Sequence, residues 1–244
     1  MDYVQQGQPE GVPPLPLTGE RTLPDVPMEN YWFRRHLAVY EWVAERCAGL
    51  DVVDMACGEG YGVDVLARRA RRVTGVDANA EAYEHARLKY TRPGVRFVCE
   101  LVESYDQQCD AIVFLQTIEH VQEPAALLRR FRTLAPVVYV STPNVLTLAP
   151  PGAEKSDNPW HLREYRPEEF RALCGDDAEI LGVFHARRLR AHDVALRAGW
   201  DGVHRALGLT DSFYRWFTPS ITARDFVLRP GPLERALDFV AVLR

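Results

Sequence analysis

Three glycines at two-residue spacing follow a short apolar segment that ends in an acid, in Asp54-Met55-Ala56-Cys57-Gly58-Glu59-Gly60-Tyr61-Gly62. Glycine allows a tight turn and lets a ligand lie against bare backbone. The amide N–H groups that begin the next helix have no partner inside that helix, so they can donate hydrogen bonds to the ligand. We therefore expect a ligand-binding loop here.

A second acid, Asp77, ends the next apolar segment of the chain. A carboxylate at this place in an α/β sheet can accept hydrogen bonds from both ribose hydroxyls of an adenosine-containing ligand. The glycine spacing is G-x-G-x-G, whereas the dinucleotide fingerprint G-x-G-x-x-G would need a glycine where Val63 stands. The spacing therefore argues against an NAD-binding oxidoreductase. No Lys-Ser or Lys-Thr pair follows the loop, which excludes a P-loop.

The segments that must position these residues alternate between short apolar runs and amphipathic ones. We predict strands at 52–55, 72–76, 96–99, 111–115, 137–141, 179–185 and 237–243. Helices are predicted from about residue 30 to Gly49, and at 63–70, 81–89, 124–134 and 167–174. This alternation predicts an α/β fold with a doubly wound, seven-stranded, mostly parallel, Rossmann-like sheet that binds ligands at the carboxyl ends of its strands.

Two segments fall outside the alternation. Residues 1–28 contain six prolines and little periodicity, which predicts an extended, partly disordered arm. Residues 187–232 are rich in aromatic residues and Arg, and we predict a mainly helical insertion that caps the substrate. The ligand-binding domain then comprises residues 29–186 and 233–244.

Composition narrows the function classes. The 244 residues suit one α/β domain with an insertion. The net charge of −5 and the lack of a Lys/Arg-rich run disfavour nucleic acid and anionic membranes as partners. No apolar stretch has membrane-spanning length, and no signal peptide is visible. Five scattered Cys without a CxxC motif favour a cytoplasmic location, and the oligomeric state is open, a homodimer included.

The chain resembles the class I S-adenosylmethionine (SAM)-dependent methyltransferases through the glycine loop, Val76-Asp77, Phe114-Leu-Gln-Thr-Ile-Glu-His120 and Ser141-Thr-Pro-Asn144. The resemblance implies that Asp54 and the loop backbone hold the methionine part of SAM, that Asp77 holds the ribose, and that residues after the fourth strand flank the sulfonium. It implies an adenine contact near the third strand, for which we suggest Glu100. The expected cofactor-binding residues are Arg34, Asp54, Ala56, Cys57, Gly58, Gly60, Tyr61, Asp77, Ala78, Glu100, Gln116 and Thr117.

A narrower resemblance concerns four blocks that begin at Leu17, Glu29, Ser141 and Asn158. They are similar to blocks of actinobacterial methyltransferases, some of which are linked to methylation of glucose hydroxyls in polysaccharides such as methylglucose lipopolysaccharide. The likeness implies a saccharide or oligosaccharide acceptor, an N-terminal block that folds over the cofactor, and pairing of Arg34 or Arg35 with the SAM carboxylate. The alternatives are a natural-product N- or O-methyltransferase and a SAM-binding protein without catalysis.

Transfer to a hydroxyl requires removal of its proton, for which His is suited near neutral pH. His120 follows the fourth strand directly after Glu119, and His161 lies in the loop after the fifth. We favour His161 as the base, with His120 and Glu119 positioning the acceptor or a divalent metal such as Mg²⁺. Some relatives use a Glu-x-x-Glu-His metal group, in which Gln116 replaces the first Glu here. The alternative roles are helix capping for Glu119 and His120 and loop anchoring for His161.

Aromatic side chains could form an apolar wall for a sugar ring, or could pack in the core of the cap instead. The candidates for this wall are Trp160, Tyr165, Tyr214, Trp216 and Phe217.

Overall fold

Strands and helices alternate along most of the chain, as the sequence pattern predicts. The computed structural model describes residues 4–19, 21–150, 152–209 and 212–244; residues 1–3 and 20 of the predicted arm, and 210–211 of the predicted insertion, lie outside the described residues. The helices are α1 Asn30–Arg46, α2 Tyr61–Leu66, α3 Ala80–Lys89, α4 Pro124–Leu134, α5 Val145–Leu148, α6 Pro167–Cys174, α7 Arg187–Arg197, α8 Trp200–Ala206 and α9 Phe213–Phe217. The strands are β1 Asp51–Met55, β2 Arg72–Asp77, β3 Val95–Cys99, β4 Ala111–Leu115, β5 Val137–Pro143, β6 Glu179–His185, β7 Phe226–Arg229 and β8 Asp238–Leu243.

The strands form one sheet in the order β3-β2-β1-β4-β5-β8-β6-β7. The first five are parallel to their neighbours, whereas β8, β6 and β7 join antiparallel. The Rossmann-like fold is confirmed, but the count of seven strands is wrong. The additional strand, β7, lies inside 187–232 and buries only Phe226 fully, so its four residues carry no alternation long enough to reveal a strand.

The strand order reverses between β1 and β4. From β1 the sheet continues to β2 and β3 on one side, and to β4 and β5 on the other. In open α/β sheets a crevice forms at the carboxyl ends of the strands at such a switch point, and ligands bind there. The glycine loop after β1 and the segment after β4 therefore face the same crevice.

Both faces of the sheet are covered, so β4 is apolar throughout. Ala111, Val113 and Leu115 belong to the cluster that α1 and α2 complete. Ile112 and Phe114 point to the opposite face and belong to the cluster that α4 and α6 complete. Alternation of side chains along a strand produces this division.

A buried ion pair fixes α1 to the last strand. The guanidinium of Arg35 pairs with the carboxylate of Asp238 and also donates to Leu237 O at 2.6 Å. Both side chains are almost fully buried, and a buried charge is tolerated only when it is paired. The pair therefore holds the start of α1 at the carboxyl edge of the sheet.

The arm packs against the protein from Val4 onward. Leu15, Leu23 and Val26 form a small apolar cluster, and the side chains of Gln5 and Val12 are buried. Within residues 4–19 and 21–26 these contacts form without a helix or a multi-residue strand. The apolar residues of the arm lack a regular period, so the sequence pattern did not indicate their packing.

Among the residues that the structure describes, no helix combines the length and the apolar character needed to cross a bilayer.

Close packing of α1 on α2 leads to a first prediction. A Cβ on Gly62 would overlap the ring of Tyr40. Gly62→Ala is therefore expected to lower the free energy of unfolding by about 1–3 kcal/mol, the usual cost of overpacking. Gly202 in α8 has open space around the same position, so Gly202→Ala is the matched control and should be neutral or slightly stabilising. Urea unfolding of the two variants decides; equal stabilities would contradict the overlap.

Candidate active site

A cavity of about 730 Å³ lies at the carboxyl ends of β1, β2, β4 and β5. Its wall includes Ala56 after β1, Asp77 at the end of β2, Gln116 after β4, and Ser141 and Pro143 of β5. This volume is in the range of cavities that hold small ligands and cofactors.

Hydrogen bonds and positive φ angles shape the glycine loop at the base of this cavity. Cys57 N donates to Val76 O at 3.0 Å, and Gly58 N donates to Asp77 Oδ2 at 2.7 Å. Both Ala56 (φ 57°) and Gly58 (φ 54°) have left-handed backbone conformations. For Ala56 this conformation costs free energy, and strain of this kind concentrates at functional sites.

The structure requires glycine at these three positions for different reasons. A Cβ on Gly58 would meet only Arg21 Cβ, at 4.0 Å, so this residue turns an open backbone face to the cavity. A Cβ on Gly60 would come within 2.8 Å of Ala86 Cβ, and one on Gly62 would overlap Tyr40. Of the three, Gly58 lines the cavity, and packing against α3 and α1 gives Gly60 and Gly62 a further reason to be glycine.

Asp54 lies beneath the loop rather than on the cavity wall. It is fully buried, and Tyr40 Oη lies 3.3 Å from each of its carboxylate oxygens. Burial raises the pKa of Asp54 well above its ordinary value, although the Tyr40 hydrogen bond opposes the shift. Tyr40 itself lines the cavity, together with Cys57 and Tyr61.

Asp77, unlike Asp54, lines the cavity. Its Oδ1 accepts from Asn79 N at 2.9 Å, and its Oδ2 accepts from Gly58 N. A carboxylate oxygen has more than one lone pair, so further donors can be accommodated. The predicted neighbours Ala78 and Glu100 do not line the cavity in the described part of the chain; Glu100 N donates to Asp77 O at 3.2 Å.

Neither predicted arginine belongs to the described cavity wall. Arg35 is paired with Asp238, and Arg34 Nε donates to Asn30 Oδ1 at 3.0 Å. The expected pairing of either with the SAM carboxylate is thus corrected. Arg21 of the arm lines the cavity instead.

Gln116 and Thr117 line the cavity beyond the end of β4. Gln116 has a positive φ of 52°, and its Nε2 donates to Ser141 Oγ at 3.0 Å. Thr117 Oγ1 donates to Leu115 O at 3.0 Å. The strained backbone and these side-chain bonds hold both residues at the mouth of the crevice.

His120, His161 and Glu119 come together on the same wall, as the sequence predicts. The two imidazole centroids are 5.0 Å apart, and one ligand atom of each of the three residues lies within 4.8 Å of the others. Two backbone bonds explain the approach of the distant segments. Leu162 N and Arg163 N donate to Glu119 O at 2.9 and 3.1 Å.

Second hydrogen bonds set the tautomer of each imidazole. His120 Nδ1 lies 2.8 Å from Trp160 O, and His161 Nδ1 lies 2.6 Å from Glu164 Oε1. Because these oxygens only accept, both Nδ1 atoms carry protons, and Nε2 is the accepting nitrogen of each neutral ring. In this structure Asn158 Nδ2 donates to His161 Nε2 at 3.1 Å.

Glu119 is completely buried, and burial raises its pKa to about 8. Thr142 Oγ1 donates to its Oε2 at 3.0 Å, a bond that opposes this increase. In the absence of a cation, Glu119 is therefore mostly protonated at neutral pH.

Two acids of the site were missed as functional candidates in the sequence. Glu164 is half-buried as a residue, but its side chain is only 2% exposed; its carboxylate accepts from Ser156 N at 2.8 Å and orients His161. Its position three residues after His161 is the feature of the sequence that could have suggested this pairing. Glu59, between two of the glycines, also lines the cavity.

Of the five residues predicted to form an aromatic wall, only Trp160 lines the cavity, and the described part of the predicted insertion does not line it. Trp160 lines the cavity and Tyr165 is buried in the core. Within 187–209 and 212–232, which include Tyr214, Trp216 and Phe217, no residue lines the cavity. The insertion packs on the N-terminal part of α1 instead, where Asn30 Nδ2 donates to Thr218 O at 2.8 Å.

Comparison with known proteins agrees with this geometry. Residues 53–136 match the family Methyltransf_11, a methyltransferase domain. A probable S-adenosylmethionine-dependent methyltransferase of Mycolicibacterium smegmatis is 44% identical over 256 residues, which cover 97% of this chain and 98% of that protein. A ubiquinone biosynthesis O-methyltransferase of Albidiferax ferrireducens is 32% identical over 156 residues, covering 55% of this chain and 62% of that enzyme.

A solved structure has the same fold at low identity. It is the N-terminal domain of EvdMO1 in the presence of S-adenosylhomocysteine (SAH) and D-fucose, with a TM-score of 0.50, 18% identity, and coverage of 86% of this chain and 82% of that domain. With its fold, its glycine loop and its full-length relative, the chain belongs to the class I SAM-dependent methyltransferases. SAM is its cofactor, and the open face of Gly58 beside Asp77 fits a nucleoside ligand.

Proposed function

We propose that the protein transfers a methyl group from SAM to a hydroxyl of a saccharide, with His161 as the general base. The observation that carries this proposal is His161, which lines the same cavity as Gly58 and Asp77 and whose Nδ1 pairs with Glu164. SAM supplies an activated methyl group with its own leaving group. The protein must align the acceptor, exclude water and take up the hydroxyl proton.

His161 is suited to proton transfer by its partners. Glu164 fixes the Nδ1–H tautomer and stabilises the imidazolium that forms when Nε2 takes a proton, as a carboxylate does for other catalytic histidines. The acceptor hydroxyl replaces Asn158 Nδ2 at Nε2. His120, whose ring is adjacent, and Glu119 position the acceptor.

The part of the cavity beyond the cofactor loop combines aromatic and polar surfaces. Trp160 and Trp32 are 47% and 36% exposed and both line the cavity. Ser156, Asp157 and Asn158 lie on the same wall. Aromatic faces with a few polar groups suit the apolar faces and the hydroxyls of a sugar ring. The partial match to a ubiquinone biosynthesis O-methyltransferase supports oxygen as the methylated atom.

A release assay tests the proposal. Purified protein is incubated with SAM and, in separate reactions, glucosides, oligosaccharides, sugar nucleotides, phenols and amines, and the SAH formed is measured with and without Mg²⁺. We expect SAH formation with a saccharide, and mass spectrometry should find the methyl group on oxygen. Turnover of amines or phenols alone would favour a natural-product methyltransferase. SAH binding without turnover of any acceptor would favour a binding protein.

A divalent cation is a second candidate for this wall, since Glu119, His120 and His161 each offer a ligand atom within 4.8 Å of the others. One carboxylate and two imidazoles would hold such a cation, and Glu164 would orient His161 as a second carboxylate often does for a ligating His. A cation there would orient acceptor hydroxyls and favour their deprotonation. Calorimetry with Mg²⁺, Mn²⁺ and Zn²⁺, and Glu119→Gln as the variant, tests it independently of turnover.

A further inference from the structure

Glu59 stands on the cofactor loop between Gly58 and Gly60, yet its side chain is directed away from solvent. It is 1% exposed. An acid in this loop could contact the cofactor directly. Whether it does depends on what its two carboxylate oxygens already bind.

Both oxygens of Glu59 are saturated by donors of the protein. Oε1 accepts from Lys89 Nζ at 2.6 Å, from His85 Nε2 at 3.0 Å and from Gln5 Nε2 at 3.3 Å. Oε2 accepts from Tyr90 Oη at 2.7 Å and from its near neighbour Tyr61 N at 3.1 Å. A carboxylate offers about four lone-pair sites. Glu59 therefore has no acceptor capacity left for a ligand in the cavity.

The donors that saturate Glu59 also hold the N-terminal arm. Gln5 belongs to the arm itself and donates as well to Pro24 O at 3.3 Å. His85 Nδ1 lies 2.7 Å from Pro13 O, so the His85 ring connects the arm to Glu59. Lys89 Nζ lies 3.9 Å from Asp25 Oδ2. Three separate points of the arm are thus connected to one carboxylate.

One ionised carboxylate, that of Glu59, is the centre of this cluster. Burial alone would raise the pKa of Glu59, but the His85 hydrogen bond and the Lys89 charge outweigh it and hold the pKa below its ordinary value. The carboxylate is therefore ionised. Lys89 pairs with this carboxylate at 2.6 Å and lies 3.9 Å from Asp25 Oδ2, so the arm places a second acid beside the same ammonium group.

The arm continues from these anchors across the cavity. Gly19, Arg21 and Thr22 line the cavity, and Arg21 Cβ lies near the open face of Gly58. On the far side, Trp160 Nε1 donates to Thr18 O at 3.3 Å. Thr18 and Gly19, and Arg21 and Thr22, thus lie between the cofactor loop and the loop that carries His161.

We propose that Glu59 is a positioning residue that fastens the N-terminal arm to the cofactor loop and thereby sets cofactor affinity without touching the cofactor. Its carboxylate holds Gln5, His85 and Lys89, and through them the arm is held at Gln5, Pro13 and Asp25. Removal of the charge should therefore release the arm, and loss of cofactor affinity follows from that release.

The experiment combines SAH calorimetry with hydrogen exchange of the whole chain. In Glu59→Gln we expect faster amide exchange across residues 5–26, loss of the extra protection that SAH gives to 17–26, and SAH affinity about three- to tenfold weaker. Gln5→Ala removes only the donor on the arm and should shift the same readouts in the same direction. If both substitutions act by releasing the arm, the double variant should bind SAH no more weakly than Glu59→Gln does.

Glu84→Gln is the matched control on the exposed face of α3, where Glu84 pairs with Arg87, and it should leave both readouts unchanged. Weaker SAH binding with unchanged arm exchange in Glu59→Gln would overturn the proposal, because Glu59 would then act on the ligand or the loop alone. Wild-type affinity in that variant would overturn it as well. Should Glu59→Gln not fold, Gln5→Ala decides, and unchanged exchange across the arm contradicts the proposal.

Discussion

Replacement of His161 by Ala lowers turnover by at least about 10²-fold, while SAH affinity stays within a few-fold of wild type. The reason is that a sugar hydroxyl is a weak nucleophile while it keeps its proton, and general-base assistance typically contributes 10²–10⁴-fold. His161 is proposed as the base and not as a cofactor ligand, so we expect cofactor binding not to need it. Steady-state turnover with the acceptor found by the release assay, beside SAH calorimetry, measures both quantities.

Further variants distinguish loss of proton transfer by His161 from disruption of the loop that carries it. Glu164→Gln keeps the shape of the Glu164 side chain but removes the charge that stabilises protonated His161, so we expect a smaller loss of turnover in the same direction. Glu154→Gln, at an exposed position of the same loop, is the matched control and should be silent. His120→Ala should match His161→Ala if the two act as a unit. Near wild-type turnover in both His variants would show that the base assignment is wrong.

Asp77→Ala should weaken SAM and SAH binding about tenfold or more. A hydrogen bond to a charged acceptor contributes roughly 1.5–3 kcal/mol, and the variant removes those that the ribose hydroxyls would donate. It also removes the acceptor for Gly58 N and Asn79 N, so the loop loses support at the same time. Calorimetric titration with SAH measures the loss.

The control for Asp77→Ala is Asp64→Ala in α2, where the carboxylate pairs with Arg68 and Arg92 at the surface. This substitution should leave SAH affinity unchanged. An Asp77→Ala variant that folds, as circular dichroism would show, and still binds SAH as wild type does would refute the ribose assignment.

The sheet was predictable because its apolar segments are short and sharply bounded. β4 and β6 match the predicted bounds, and β1, β2, β3, β5 and β8 differ by one or two residues. Parallel strands bring their carboxyl ends to one edge, so the meeting of Asp77, Gln116 and His120 also followed from the sequence.

The sequence pattern could not predict the contacts between residues that are far apart in the chain. Arg34 and Arg35 look alike in the sequence, but Arg35 is committed to Asp238, which is 203 residues away. Tyr214, Trp216 and Phe217 of α9 pack on the buried His192 and His204 of the insertion; the Phe217 ring stacks on His192 at 4.1 Å. Neither the partners nor the position of the insertion behind α1 has a local signature, because each depends on how distant segments meet.

The place of β8 has a consequence for the order in which the chain can fold. β8 follows β6 and β7 in the chain but lies between β5 and β6, where Val138 pairs with Leu243. During synthesis, β6 and β7 leave the ribosome before the strand that joins them to the parallel half. Until then β5 keeps an unpaired edge, which invites association with other chains. We expect sheet completion to be a late, slow step, since pairing over long sequence separation slows folding.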